Sequence, residues 1–597
     1  MGNQLDTSLT PIIDRHRRDG RRLVQILREV QDQTGWLSPE VLSWIADAIA
    51  WPRARVESTA GFYSFFHTRP LGQYRILWSD NITDRMLGSQ DLMQAMCRKL
   101  WLEPGRVSED GLVSVEATSC TGLCDQGPAI LVNYRAMPGI TLERVDKIVH
   151  LVRNRVPLAE WPAEWFRIED NIRRKDILLD HGLVPGEALS AALARGPETM
   201  LTEVRRANLR GRGGAGFGTA LKWEACRQAE GSQRYLVCNA DEGEPGTFKD
   251  RVLLNSYADL VFEGMTIAGH AIGATEGLLY LRGEYRYLLD DLAATLERRR
   301  REGLLGRNIL GTPFNFDIEI HLGAGAYVCG EESALIESLE GKPGKPRIRP
   351  PFPVVRGYRE QPTAVNNVET LASTCLIAAR GGDWFAAIGT AKSAGSKLLS
   401  VSGDVEQPGI YEYPFGVTVA QVLADSGARN PQAVQISGAA GTCLADDEFE
   451  RRIAFEDLPT AGSFMVFDRG RDMFEVARNF VHFFAHESCG FCTPCRVGTA
   501  LNRRLMDKIA AGQGSPYDIN EMFKLHRLMQ GTSHCGLGNS ATTALFDTLT
   551  KFKPAFERRL QSLDYEPGFD LDLALSQARQ MTGRDDPGAH LSQEDKT

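Results

Sequence analysis

Three cysteines within seven residues, Cys489, Cys492 and Cys495 in ESCGFCTPCRVG, and a fourth, Cys535 in SHCGLG, constrain this chain more than any other feature. The Cys-x2-Cys-x2-Cys spacing lets a backbone curl around a cluster and aim three thiolates at three corners of a cube. Arg496, Val497, Gly498 and Thr499 follow the third cysteine, so the fourth ligand must be remote, and no other cysteine lies between Cys495 and Cys535. The set predicts a 4Fe-4S site with three sulfurs on one tight turn and one from a distant loop. A structural zinc with four thiolates is the alternative, although zinc sites usually carry two separated pairs. Gly490, Pro494 and Gly498 suit a constrained turn, and ALNRRLMDKIAA after it carries apolar residues at helical spacing.

At 597 residues the chain is long enough for about four domains. A net charge of −9 leaves no general basic footprint and argues against nucleic acid as the principal partner. The twelve cysteines form no disulfide framework, which fits a reducing compartment. The first residues, MGNQLDTSLTPIIDRHRRDGRR, lack the apolar core of a secretory signal. The most apolar stretch, from Leu260, is interrupted by Glu263, His270 and Glu276, so no membrane span is expected and a cytoplasmic protein is.

The pattern predicts an α/β multidomain chain. Residues 1–70 read as a helical cap, as in RRLVQILREVQDQTG and PEVLSWIADAIA. In 71–155, QYRILWSD, LVSVEATSC and AILVNYRA read as short strands of a small α/β module, with a helix-like SQDLMQAMCRKLWL between the first two. A connector is expected over 156–195. An α/β ligand-binding domain follows over 196–392, with strands RYLVCNA, GLLYLRG and FDIEIHL beside its glycine-rich elements. Over 393–470 a hairpin, a helix and a further strand fit a β-grasp module. A helical bundle holding the cysteine cage is expected over 471–575 and a tail over 576–597.

The run RGRGGAGFG contains Gly211-x-Gly213-x-x-Gly216, a formal dinucleotide fingerprint. That fingerprint needs a preceding strand, whereas LTEVRRANLR before it looks helical, so an ordinary Rossmann turn is not expected. Bare glycines still let backbone N–H groups approach a phosphate, and Arg210, Arg212 and Lys222 add positive charge; a flexible basic loop is the plainer alternative. ADEGEPGTFKD crowds Asp241, Glu242 and Glu244 at a strand end, where ribose hydroxyls are commonly met, with solvated surface acids as the alternative. GAGAYVCGEESALIESLEG adds Tyr327, Glu331 and Glu332; IRPPFPVVRG gives Arg349 and Phe352; PTAVNNVET offers Asn366, Asn367 and Thr370. Asn side chains donate and accept, which suits the edge of a heterocycle.

These motifs, with ESCGFCTPCRVG and SHCGLG, occur in the order found in the NADH-oxidising flavoprotein subunits of respiratory complex I, which the chain resembles over roughly residues 196 to 565. As a whole it is similar to the diaphorase alpha subunits of soluble NAD-reducing nickel-iron hydrogenases. The resemblance implies a Rossmann-like domain of unusual topology that binds FMN, with NAD(H) stacked over the flavin. By matching positions, Gly211, Gly213, Gly214, Lys222, Asn239, Asp241, Glu242, Tyr327, Gly330, Glu331, Glu332, Asn366, Asn367 and Thr370 would line the FMN site. Phe217, Lys222, Glu244, Glu332 and Phe352 would face the dinucleotide, and Arg349 stands where relatives often have Lys. Glu244 and Lys222 are the residues assigned to catalysis, Glu244 as an electrostatic and hydrogen-bonding element without proton transfer.

The N-terminal part resembles the thioredoxin-like 24-kDa-type subunit of complex I, which holds a 2Fe-2S cluster on two cysteine pairs. Cys120 and Cys124 match the second pair, but the first falls on Ser79 and Asp84. Two thiolates with two side-chain oxygens make a poor cage, so a cluster-free module is expected, with non-thiolate ligation or a labile cluster as alternatives. A hydride carries two electrons and an iron-sulfur cluster one, so a flavin must join them. The resemblance implies an iron-sulfur electron-transfer subunit as partner and, through it, nickel-iron hydrogenase small and large subunits. Complex I, NAD-linked formate dehydrogenase and electron-bifurcating hydrogenases share the flavin module and are the alternatives.

Overall fold

The computed structural model describes residues 2–561 and 571–585. Helices Gly2–Arg15, Leu23–Thr34, Pro39–Ala48 and Arg53–Ala60 form the cap. Leu23, Ile26, Leu27 and Val30, spaced three and four apart, give the second helix its buried face. Ser38 opens the third by accepting the Val41 N–H at 3.2 Å, with Pro39 at its first position.

Four strands follow: β1 (Tyr74–Ser79), β2 (Val113–Thr118), β3 (Ile130–Val132) and β4 (Arg135–Met137), in sheet order β2-β1-β3-β4. β1 and β2 run parallel, and the helix Ser89–Leu100 connects them; β3 is antiparallel to β1 and to β4. This is the thioredoxin-like module.

The segment expected as a plain connector carries structure. Strand β5 (Ile172–Arg174) pairs in parallel with a strand more than 230 residues downstream, at Ile172↔Ile410 and Arg174↔Tyr411, and the helix Glu187–Arg195 packs on the next domain. Glu412, fully buried, receives the N–H groups of Asp176 (2.8 Å), Leu178 (2.7 Å) and Leu179 (2.8 Å) and so locks this segment in place.

The central sheet is all parallel. Its strands β6 (Tyr235–Ala240), β7 (Glu276–Leu281), β8 (Asp317–Leu322) and β9 (Thr363–Asn367) lie in the order β8-β7-β6-β9. Strand β9 comes from the VNN motif, read from the sequence only as a ligand edge. The apolar stretch from Leu260 lies largely in helix Ala258–Ile272, and its Glu263 explains why it belongs in a protein core. The carboxylate takes the N–H groups of Gly186 (2.6 Å) and Leu189 (2.9 Å) at the start of Glu187–Arg195. Among the described residues no helix is long and apolar enough to cross a membrane.

β10 (Ser396–Gly403), β11 (Gly409–Pro414), β12 (Pro431–Ile436), β13 (Thr442–Ala445) and β14 (Ser463–Asp468) complete a six-stranded sheet of order β13-β12-β14-β10-β11-β5. The bundle is built from Met473–Glu487, Thr493–Ala510, Pro516–Thr532 and Thr543–Lys551. The residues expected as a tail from 576 include part of a helix, Leu571–Thr582, which crosses the expected boundary at 575; residues 586–597 of that tail lie outside the described residues.

Candidate functional site

The glycine-rich run bridges two helices, Pro197–Arg206 and Thr219–Gln228, and closes on itself through an isolated bridge between Arg210 and Gly218. It is not a strand-turn-helix. Its shape is set by Arg212, fully buried, whose N–H donates to Thr370 Oγ1 (2.8 Å) and whose guanidinium donates to Ala394 O (2.7 Å). Arg212 therefore serves the loop from behind and does not line the cavity above it. Gly213 packs so near Asn367 that a Cβ there would stand 3.2 Å from the Asn367 Cβ, so a side chain would crowd the cradle.

A cavity of about 570 Å³ opens over this loop, at the carboxyl edge of β6 and β9. Gly211, Gly213, Phe217, Lys222, Asn239, Gly330, Glu331, Glu332, Arg349, Phe352, Asn366 and Asn367 line it, all of them expected cofactor-binding positions. Lys222 Nζ donates to Glu332 Oε2 (2.8 Å) and Val365 O (3.0 Å). Asn366 is oriented by Trp223 Nε1 (2.8 Å), and Asn239 donates to Gly330 O (2.8 Å). Glu331 Oε2 caps the helix Glu332–Leu339 through the Ser333 and Ala334 N–H groups, while Oε1 lies 3.3 Å from the Arg349 guanidinium. Phe217 and Phe352 are more than half and half exposed, respectively, flanking the entrance as flat apolar faces.

Six expected positions do not line this cavity. Gly214, at φ 111°, faces Ala461 of the β10–β14 module, and Thr370 holds Arg212. Glu242 is a structural cap: its carboxylate receives the Asp250 and Arg251 N–H groups (2.8 and 3.1 Å) and the Tyr285 hydroxyl (2.8 Å). Asp241 and Tyr327 line a neighbouring cavity of about 280 Å³. Asp241 Oδ2 is buried without a hydrogen-bond partner, and burial pushes its carboxyl well above the usual range. Glu244 accepts the Tyr327 hydroxyl (2.6 Å) and the Ala440 N–H (3.0 Å); burial pushes it up to about 7 despite both donors.

Behind the cavity lies a buried charge network. Asn367 donates to Asp250 (2.7 Å), Lys249 bonds Asp250 (2.6 Å) and Glu369 (3.0 Å), and Glu369 also meets Lys397 of β10. Burial pulls the Lys397 ammonium down to about 7. These pairs weld the central sheet to the β10–β14 module.

Cys489, Cys492, Cys495 and Cys535 surround one small cavity with Ser488, Pro346, Phe491, His534 and Leu537. Cys495 sits inside the helix Thr493–Ala510, which begins earlier than the sequence spacing indicated, so the three sulfurs span a turn and the first helical turn. The Leu537 and Gly538 N–H groups reach the Cys535 sulfur, and Ser488 Oγ lies 3.2 Å from Cys495 Sγ. Among the described residues, no three His, Cys, Asp or Glu side chains are placed to hold a single metal ion. Four thiols around one cavity, three of them at Cys-x2-Cys-x2-Cys spacing and the fourth remote, fit the corners of a cluster.

Sequence reasoning missed two residues. Gly536 lines the large cavity while its neighbour Cys535 lines the cysteine cavity, so one peptide bond separates the two walls. Glu487, just before the cysteine run, accepts the Tyr327 N–H (3.0 Å) and the Ser119 hydroxyl (2.7 Å), tying three modules together. Both stood inside quoted motifs, but only the cysteines there carried a recognisable spacing.

In the N-terminal module the four candidate ligand positions satisfy one another. Cys120 and Cys124 sulfurs lie 3.3 Å apart, Ser79 donates to Asp84 (2.6 Å), and Asn81 donates to Cys124 (3.2 Å). Asp84 Oδ1 also takes the Ala129 N–H (3.1 Å). This donor set does not fit a 2Fe-2S cluster, which needs four free, converging and mainly thiolate ligands.

Comparisons with known proteins agree with the architecture. Residues 204–375 match the Nuo51 FMN-binding domain, 9–153 the Thioredoxin-like [2Fe-2S] ferredoxin, and 475–559 the NADH-ubiquinone oxidoreductase-F iron-sulfur binding region. Fold and site together define an FMN- and iron-sulfur-dependent oxidoreductase subunit. NAD-reducing hydrogenase HoxS subunit alpha of Cupriavidus necator is 43% identical over 590 residues, covering 96% of this chain and 98% of that protein. The chain belongs to the family of these NAD-reducing hydrogenase alpha subunits. An NADH-quinone oxidoreductase subunit of Escherichia coli is 41% identical over 62% of this chain and 86% of its own length. A crystal structure of NAD+-reducing [NiFe]-hydrogenase in the H2-reduced state superposes with a TM-score of 0.88 at 43% identity, over 96% of this chain and 98% of its own.

Proposed function

We propose that this chain is the diaphorase subunit of a cytoplasmic NAD-reducing hydrogenase. It exchanges hydride with NAD(H) on one side of a flavin and single electrons with a 4Fe-4S cluster on the other. The observation that carries this reading is the shared wall: Cys535 belongs to the cluster cage and Gly536 to the flavin cavity. Bound FMN supplies a carrier that accepts or gives hydride and also passes electrons one at a time.

The chain's own residues bind and orient. The Gly211–Gly213 backbone admits the phosphate, with Lys222 and Arg349 as cations on the same cavity wall, and Asn239, Asn366 and Asn367 meet the edges of the ring system. Phe217 and Phe352 offer faces to the adenine end of the dinucleotide. Glu244, held by Tyr327, sets the field around the nicotinamide and moves no proton. Cys489, Cys492, Cys495 and Cys535 hold the cluster.

The partners are an iron-sulfur subunit docked near the cysteine cage and, beyond it, the nickel-iron subunits. The fused N-terminal module, spanned in full by the hydrogenase relative, favours this over a complex I assembly. The anaerobically purified chain should be yellow and reduce a one-electron dye with NADH, and native isolation should bring down a nickel-containing partner. A colourless, inactive protein would refute the flavin assignment; a nickel-free assembly would refute the hydrogenase one.

A further inference from the structure

The most buried loop of the N-terminal module, Ser119–Asp125, is anchored to the flavin domain. Arg282, at the end of β7 and 3% exposed, donates to Cys120 O (2.7 Å) and also to Glu242 O, while Glu284 balances its charge (2.7 Å). Arg251, fully buried, grips both carboxylate oxygens of Asp125 at 3.1 Å, and Asn171 adds a third bond to Asp125 (2.8 Å). Between these anchors Gly122, at φ 73°, lies so close to Tyr285 that a Cβ would stand 2.3 Å from its hydroxyl oxygen. That hydroxyl is the one bonded to Glu242. The Gly246 N–H in turn reaches the Cys120 sulfur.

The contacts converge on segment 241–246, which carries Asp241, Glu242 and Glu244 and contains two glycines, Gly243 and Gly246, the latter at φ 84°. Left alone, such a segment has many conformations to lose. Burying two guanidinium groups to fix it is costly unless each is paired: Arg282 donates through all three nitrogens, and Arg251 through both terminal ones while its Nε has no partner.

We infer that the Ser119–Asp125 loop is a positioning element of the dinucleotide site: it holds the acidic segment 241–246, and with it Glu244, in the form that receives a pyridine dinucleotide. This rests on the proposed function, which sets Glu244 beside the nicotinamide; in the structure Glu244 is held by Tyr327, which lines the neighbouring cavity. The loop touches no reacting atom and acts through Arg282, Arg251 and Tyr285.

The test uses the full-length, FMN-loaded protein. Gly122→Ala keeps every charge and pushes the loop off Tyr285; Asp125→Asn removes the negative charge that Arg251 grips. Both should raise the KM for NADH in dye reduction about tenfold while kcat stays within about twofold, the signature of lost ground-state binding. Flavin content should match the wild type. An unchanged KM in Gly122→Ala overturns the inference, as does flavin loss in step with activity at constant KM, which a merely structural loop would give. If Asp125→Asn does not accumulate, Gly122→Ala decides alone. Wild-type protein assayed alongside separates the two readings, since absence of NADH-dye activity there would refute the function and not the loop's role.

Discussion

Glu244 is the residue whose charge state the fold sets most consequentially. Burial raises its carboxyl from 4.5 to about 7, so the folded protein holds a proton there that an unfolded chain would release. The stability tied to this group is complete below pH 4.5 and is lost as pH rises through about 7. The functional sign follows from the ligand: the nicotinamide ring of NAD+ is cationic and that of NADH is neutral. With Glu244 beside the nicotinamide, as proposed, its ionised form favours NAD+. The Kd of NAD+ should fall between about pH 6 and pH 8 while that of NADH stays flat, and Glu244→Gln should remove the slope. Equilibrium titrations of both nucleotides across that range check this. The motif that carries Glu244 was legible because it is distinctive. The pKa of the Glu244 carboxyl was not, because burial in the folded chain sets it and the two donors that oppose the shift, Tyr327 and Ala440, stand 83 and 196 positions away.

Elements carry the next set of consequences. The cysteine spacing predicted the cage but misplaced Cys495, because a spacing rule describes sulfur positions and not where a helix begins. The strand β5 was illegible for a different reason: three residues have no periodicity of their own, and their partner lies across the sequence in β11. Glu412 makes that pairing rigid. Replacing it with Ala leaves three N–H groups without their acceptor and should cost about 3 kcal/mol, read as a lower denaturation midpoint. Cys535→Ala should remove the cluster signal in electron paramagnetic resonance and abolish transfer to a one-electron partner, with flavin largely retained. Wild-type transfer in that variant would contradict the exit route.

At the scale of the whole molecule, the layered α/β plan and its order of modules were readable from motif order, whereas the contacts that join the modules were not. Arg251–Asp125, Arg282 on the Cys120 carbonyl and Lys397–Glu369 are contacts between distant parts of the chain, whose charged members look like ordinary surface charges in sequence. The N-terminal module is bound into this framework while its own ligand positions are mutually satisfied. Iron and acid-labile sulfide should therefore come to about four each per chain, and Cys120→Ser with Cys124→Ser should leave both unchanged. A loss of about two of each in that double variant would restore a cluster to the module.

The single peptide between Cys535 and Gly536 has a design consequence. Electron tunnelling rates depend steeply on separation, and here the walls of the two cavities are joined covalently as well as by packing. A change in backbone at this joint bears on both walls at once. An insertion at this joint would act as a broken wire, leaving two intact terminals and no current between them.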